Sequence, residues 1–86
     1  MIETEMTMVS FRNKKNGYIY ETRTEVSKTP HGKYRVHGYI EVTYPNGRYE
    51  IEAKQTLTFD MRKDADAFAK QMRTRFRKTA KEYAGA

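Results

Sequence analysis

Residues 32–72 read GKYRVHGYIEVTYPNGRYEIEAKQTLTFDMRKDADAFAKQM. Two stretches of alternating apolar and polar residues flank Pro45-Asn46-Gly47, and an amphipathic helical pattern follows at once. A period of two puts successive side chains on opposite faces of a strand. This unit therefore implies a hairpin with one buried face and a helix to cover it. Lys33 to Tyr44 sets Tyr34, Val36, Ile40, Val42 and Tyr44 on one face, with Arg35, His37, Tyr39, Glu41 and Thr43 on the other. Arg48 to Phe59 sets Tyr49, Ile51, Ala53, Leu57 and Phe59 against Arg48, Glu50, Glu52, Lys54, Thr56 and Thr58. With Asn46-Gly47 as a two-residue loop, Tyr44 pairs with Tyr49, Val42 with Ile51, and Ile40 with Ala53. Apolar residues then meet apolar partners, and a one-residue slip would set apolar against polar.

Upstream, Thr4 to Arg12 is a strand with Met6 and Met8 on one face and Val9 and Phe11 on the other. Asn13-Lys14-Lys15-Asn16-Gly17 is a turn, because Asn and Gly tolerate positive φ. Tyr18 to Val26 is a second strand, with Tyr18, Tyr20, Thr22, Thr24 and Val26 sharing a face. Ser27 to Gly32, with Pro30, is a loop. The helix starts near Asp60, a good N-cap type. Met61, Ala65, Phe68, Met72, Phe76, Ala80 and Tyr83 recur at helical spacing. Asp64 and Asp66 near its start, and Arg77, Lys78 and Lys81 near its end, suit the helix dipole; Gly85 lies just past the end. The expected fold is one small α+β domain over residues 1–86. An antiparallel sheet of three to four strands packs on a single C-terminal helix in the order ββββα.

A chain of 86 residues has one core and little room for an enclosed active site. It has no Cys, hence no disulfide and no thiolate zinc site, which fits a cytoplasmic location. Met1 to Val9 carries Glu3 and Glu5 and no apolar run, so neither a signal peptide nor a membrane span is read there. Ser10 and Ser27 lack a nucleophile-elbow context, and His31 and His37 lack metal-ligand spacing. The register places Glu41 opposite Glu52, with Glu50 nearby. Paired carboxylates can act as acid and base, but on an open hairpin they read as a solvated acidic patch. The sequence therefore reads as no enzyme, with no cofactor, no metal and no evident small-molecule substrate.

Charge points to binding instead. The formal net charge is +6 and the pI about 9.7. Residues 61–86 hold eight Lys or Arg against three Asp or Glu, whereas residues 1–60 hold nine against eight. A basic helix offers cations to phosphates, and Arg73, Arg77 and Lys81 are its candidate contacts. The sheet face turned away from the helix offers Arg35, Tyr39, Lys54, Thr56 and Thr58, residues able to meet phosphates and base edges in a major groove.

The residues 32–72 resemble the AP2-like, or arm-type, DNA-binding domain at the N-terminus of phage and transposon integrases. Gly32 to Val36 matches that family's Gly-Lys-aromatic-Arg-Val strand opening, and Pro45-Asn46-Gly47 its turn. Thr58-Phe59 followed by Arg62-Lys63-Asp64-Ala65-Asp66-Ala67-Phe68 matches its strand end and charged helix start. The resemblance implies a sheet lying in the DNA major groove with the helix bracing it from behind. It departs from the family where Arg48 is followed by Tyr49-Glu50-Ile51-Glu52 instead of a basic run, and the 86 residues hold no recombinase segment. By the register, Arg35, Arg48 and Lys54 share the outward face with Glu41, Glu50 and Glu52. The first expectation is a stand-alone nucleic-acid-binding module, for double-stranded DNA rather than RNA, using the sheet face, the basic helix or both. The alternative is a small phage-type protein-binding module that inhibits or recruits a host protein. An exposed edge strand offers a route to dimers.

Overall fold

Each alternating stretch forms a strand: β1 (Thr4–Arg12), β2 (Ile19–Lys28), β3 (Tyr34–Thr43) and β4 (Tyr49–Phe59), followed by helix α1 (Arg62–Tyr83). The computed structural model describes residues 4–85, with side chains for 6–85; the reading of residues 1–3 lies outside the described residues. The strands pair antiparallel in the order β1-β2-β3-β4, so the ββββα architecture is as expected.

The β2–β3 and β3–β4 connections are built alike. Thr29-Pro30-His31-Gly32-Lys33 closes with the Thr29 N–H donating to the Lys33 carbonyl at 2.7 Å. Tyr44-Pro45-Asn46-Gly47-Arg48 closes with Tyr44 donating to Arg48 at 2.8 Å. Pro presets the first loop position, and Gly32 and Gly47 take φ of 78° and 88° at the third. Both are three-residue loops, in which the last residue turns left-handed.

This corrects the two-residue loop expected at Asn46-Gly47. The longer loop slides the turn half of the hairpin by one residue. Thr43 pairs with Tyr49, Val42 with Glu50, and Glu41 with Ile51. A β-bulge at Glu52 absorbs the offset, and from Ile40–Ala53 to Tyr34–Phe59 the pairing is the expected one. The Tyr44–Tyr49, Val42–Ile51 and Glu41–Glu52 pairs therefore do not form. Tyr49 and Ile51 turn to the open side of the sheet and are 66% and 48% exposed. Tyr44 instead packs edge-on against Tyr18, with ring centroids 4.7 Å apart, and donates to Glu50 at 2.9 Å.

The other side of the sheet carries the core. Val26, Val36 and Ile40 pack with Ala65, Ala69, Met72, Phe76 and Ala80 of α1, and Val42 is also buried on this side. Four of the seven expected stripe positions are buried and Phe68 packs at the rim. Met61 and Tyr83, at the two ends, are exposed, and Ala69 joins the stripe. The N-cap is Met61, with no side-chain cap; Asp60 reaches Lys33 at 3.3 Å instead. Helix α1 lies chiefly over β2 and β3 and only lightly touches β1 and β4. Leu57 on β4 therefore stays exposed despite its apolar register.

Gly38, in the middle of β3, permits that placement. A Cβ there would lie 2.3 Å from the Met72 sulfur and 3.1 Å from a Phe76 ring carbon. Ala favours an extended strand over Gly by roughly 0.5–1 kcal/mol, but overpacking a core typically costs about 1–3 kcal/mol. Packing outweighs propensity here. Gly38→Ala is expected to lower the unfolding free energy by roughly 1–2 kcal/mol in urea titrations. An unchanged or raised stability would show that α1 does not press on this strand.

Candidate nucleic-acid interface

The five expected sheet residues do share one surface. On the open face Arg35 pairs with Thr58, His37 with Thr56, and Tyr39 with Lys54. β2 adds Glu21 beside Glu41, Arg23 beside Tyr39, and Glu25 beside His37. Glu50, expected outward, pairs with Val42 and bonds Tyr44, so it has left this face. Its place in the charge pattern is taken by Glu21 and Glu25. Three carboxylates thus alternate with Arg23, Arg35 and Lys54.

Several of these groups are already engaged. The Arg23 guanidinium lies 5.6 Å over the Tyr39 ring and 3.3 Å from the Glu21 carboxylate, and its Nε is buried without a hydrogen bond. Burial pushes the Tyr39 phenol above its ordinary value, and Arg23 pulls it back against Glu41, Glu21 and Glu25. The Thr56 hydroxyl sits 2.6 Å from His37 Nδ1. Exposed Met6 and Met8 on β1, Ile19 on β2, and Tyr49 and Ile51 on β4 give the same face apolar margins.

The three expected helix residues lie on the opposite layer. Arg73 and Arg77, with Lys70 and Thr74, form one wall of a groove whose other side is Thr7, Val9 and Thr22 of the sheet. Lys81 borders a second hollow beside Phe11, Arg12, Asn13, Lys14 and Lys15. Asn13 shapes that turn by accepting the Lys15 and Asn16 amides at 2.9 and 3.3 Å. Helix spacing explains the alignment: Lys70, Arg73, Arg77 and Lys81 step by three and four residues, which keeps them on one flank. No described carboxylate lines either hollow. Among the described residues none of these four, nor Lys14 or Lys15, forms an ion pair. Arg75, on the other flank, is held by Gln55 and lies over the Phe76 ring.

The expected residues therefore split into two groups on opposite layers, and one flat contact cannot use both. Sequence reading passed over Lys70, Lys14, Lys15, Thr7 and Thr22. The stripe Lys70-Arg73-Arg77-Lys81 was detectable as a basic period of 3.6 residues. Thr22 carried no signal, because a polar residue on a buried strand face reads as a structural threonine.

Among the described residues, no three His, Asp or Glu side chains converge as metal ligands, and no helix is long and apolar enough to cross a membrane. No protein-family model matches the chain, and no curated protein or solved structure matches it significantly.

The two kinds of cation should separate in stability measurements. Arg77→Gln removes like-charge contact with Arg73 one turn away, and is expected to leave stability unchanged or raise it by up to about 0.5 kcal/mol. Arg23→Gln loses the stack on Tyr39 and its packed stem, and is expected to cost about 1 kcal/mol. Urea unfolding of both variants checks this. A large loss on Arg77→Gln would mean that the helix flank is structural.

Proposed function

We propose that the protein is a DNA-binding module that grips the duplex backbone with the basic flank of α1 and the β1–β2 turn. The observation that carries this reading is the set Lys14, Lys15, Lys70, Arg73, Arg77 and Lys81, gathered on one side with no carboxylate lining the hollows between them. Cations without internal partners release counterions from DNA when they meet its phosphates. Lys70 to Lys81 spans about 16 Å at 1.5 Å per residue, close to five base steps at about 3.4 Å each. Contact of this kind is largely independent of sequence.

The likeness to integrase arm-type domains supports DNA as the polyanion, but the docking differs. On the open face, Glu21, Glu25 and Glu41 would be driven toward phosphates and desolvated there, which disfavours laying the sheet in the major groove. The absence of cysteine is compatible with a cytoplasmic location.

A second reading rests on the open face itself. Exposed Met6 and Met8 at one end, Tyr49 and Ile51 at the other, and mixed charge between them suit a protein partner. A small phage-type module could inhibit or recruit a host protein through that surface while the opposite side holds DNA.

Fluorescence anisotropy with a labelled duplex of about 20 base pairs, between roughly 50 and 200 mM salt, tests the first reading. Four to six phosphate contacts give a slope of log K against log salt of about −4 to −5. The triple variant Arg73→Ala, Arg77→Ala, Lys81→Ala is expected to abolish binding, whereas Arg35→Ala with Lys54→Ala stays within about twofold. No binding at the lowest salt would refute DNA binding. Loss on the Arg35 and Lys54 variant would move the interface to the sheet.

A further inference from the structure

We propose that the groove between β1 and α1 is a phosphate-binding site that seats one phosphodiester of the bound duplex; the identity of the ligand rests on the DNA reading above. The groove has one neutral, buried donor and three cations around it. Thr22 is only 4% exposed yet lines the groove. It is fixed between Val9 of β1 and Ile40 of β3, and its hydroxyl has no hydrogen-bond partner among the described residues. Buried hydroxyls ordinarily find partners. The neighbouring Thr24 hydroxyl also lacks one, but its oxygen is fully enclosed and serves no open space. Thr22, by contrast, is among the residues that line the groove.

Lys70, Arg73 and Arg77 form the opposite wall, and Arg73 is half-buried. Arg73 and Arg77 are one turn apart, so each raises the cost of the other until an anion lies between them. A phosphate oxygen there accepts charge-assisted hydrogen bonds from the guanidinium groups and a neutral one from Thr22. The Thr74 hydroxyl is already given to the Lys70 carbonyl at 3.1 Å, so it is not a donor. The volume is about 280 Å³, equal to roughly nine waters at about 30 Å³ each, so one phosphate group enters with water to spare.

The test uses the full chain with Thr22→Val, Thr22→Ser and Arg73→Gln. Val keeps the β-branched shape and removes the hydroxyl; Ser keeps the hydroxyl. Two probes are applied: inorganic phosphate against chloride at constant ionic strength, read by amide NMR shifts, and the labelled duplex, read by anisotropy. Phosphate is expected to shift Thr7, Thr22, Arg73 and Arg77 beyond the chloride control, and Thr22→Val to lose those shifts. Thr22→Val should weaken duplex binding about tenfold with an unchanged salt slope, because a neutral donor is lost. Thr22→Ser should bind as wild type, and Arg73→Gln should flatten the slope by about 0.9. If Thr22→Val binds duplex and phosphate as wild type does, the site is overturned and the basic-flank reading stands. If phosphate shifts Thr22 while no duplex binds, the site stands and the DNA reading falls.

Discussion

The structure depends on the contact between Met72 and the bare backbone of Gly38. A strand without a side chain at its centre lets the helix settle onto the sheet, with Met72 and Phe76 filling the space that a Cβ would occupy. Thr24 and Gln55 flank Gly38 on the neighbouring strands. That contact draws α1 over β2 and β3 and away from the edges. Two consequences follow from one placement. On the β4 side Leu57 is left exposed and Arg75 reaches across to Gln55. On the β1 side the helix flank and the sheet do not close, which leaves the groove between Thr22 and Arg73.

Strand and helix identity were legible because the side-chain periods are unambiguous. Thr22, Thr24 and Val26 alternate inward as the pattern requires, and Met6 and Met8 alternate outward. What failed was local. Asn46-Gly47 looked like a two-residue hairpin loop, but Pro45 belongs to the loop as well. The same Pro-x-Gly run occurs at Pro30-His31-Gly32, and both make three-residue loops. The compensating bulge at Glu52 has no signature of its own, since an extra residue in a charged edge strand leaves composition unchanged. Because of it, Tyr49 and Ile51, apolar by pattern, ended on the open face. Gly38 was visible as a glycine inside a strand, which marks a close approach, but only the packing shows what approaches.

The candidate site divides in the same way. The concentration of charge in the last quarter of the chain was plain, and Arg73, Arg77 and Lys81 do share a flank. Their neighbours Thr7 and Thr22 come from strands far away in sequence, and only the β1–β2 pairing brings them under the helix. The sheet residues Arg35, Tyr39, Lys54, Thr56 and Thr58 were rightly placed on one face. Their partners on β2 decide its chemistry: Glu21 and Glu25 neutralise it, and Arg23 is held by Tyr39 and Glu21. Under the proposed reading, the face of alternating signs with apolar margins suits a protein partner, and the flank of one sign suits a polyanion.

The most direct measurement is amide chemical-shift mapping of the full chain with a short DNA duplex. A helix-flank interface predicts shifts concentrated at Lys14, Lys15, Lys70, Arg73, Arg77 and Lys81, with Tyr39, Lys54, Thr56 and Thr58 unmoved. Shifts concentrated on those sheet residues, with the helix flank silent, would contradict it.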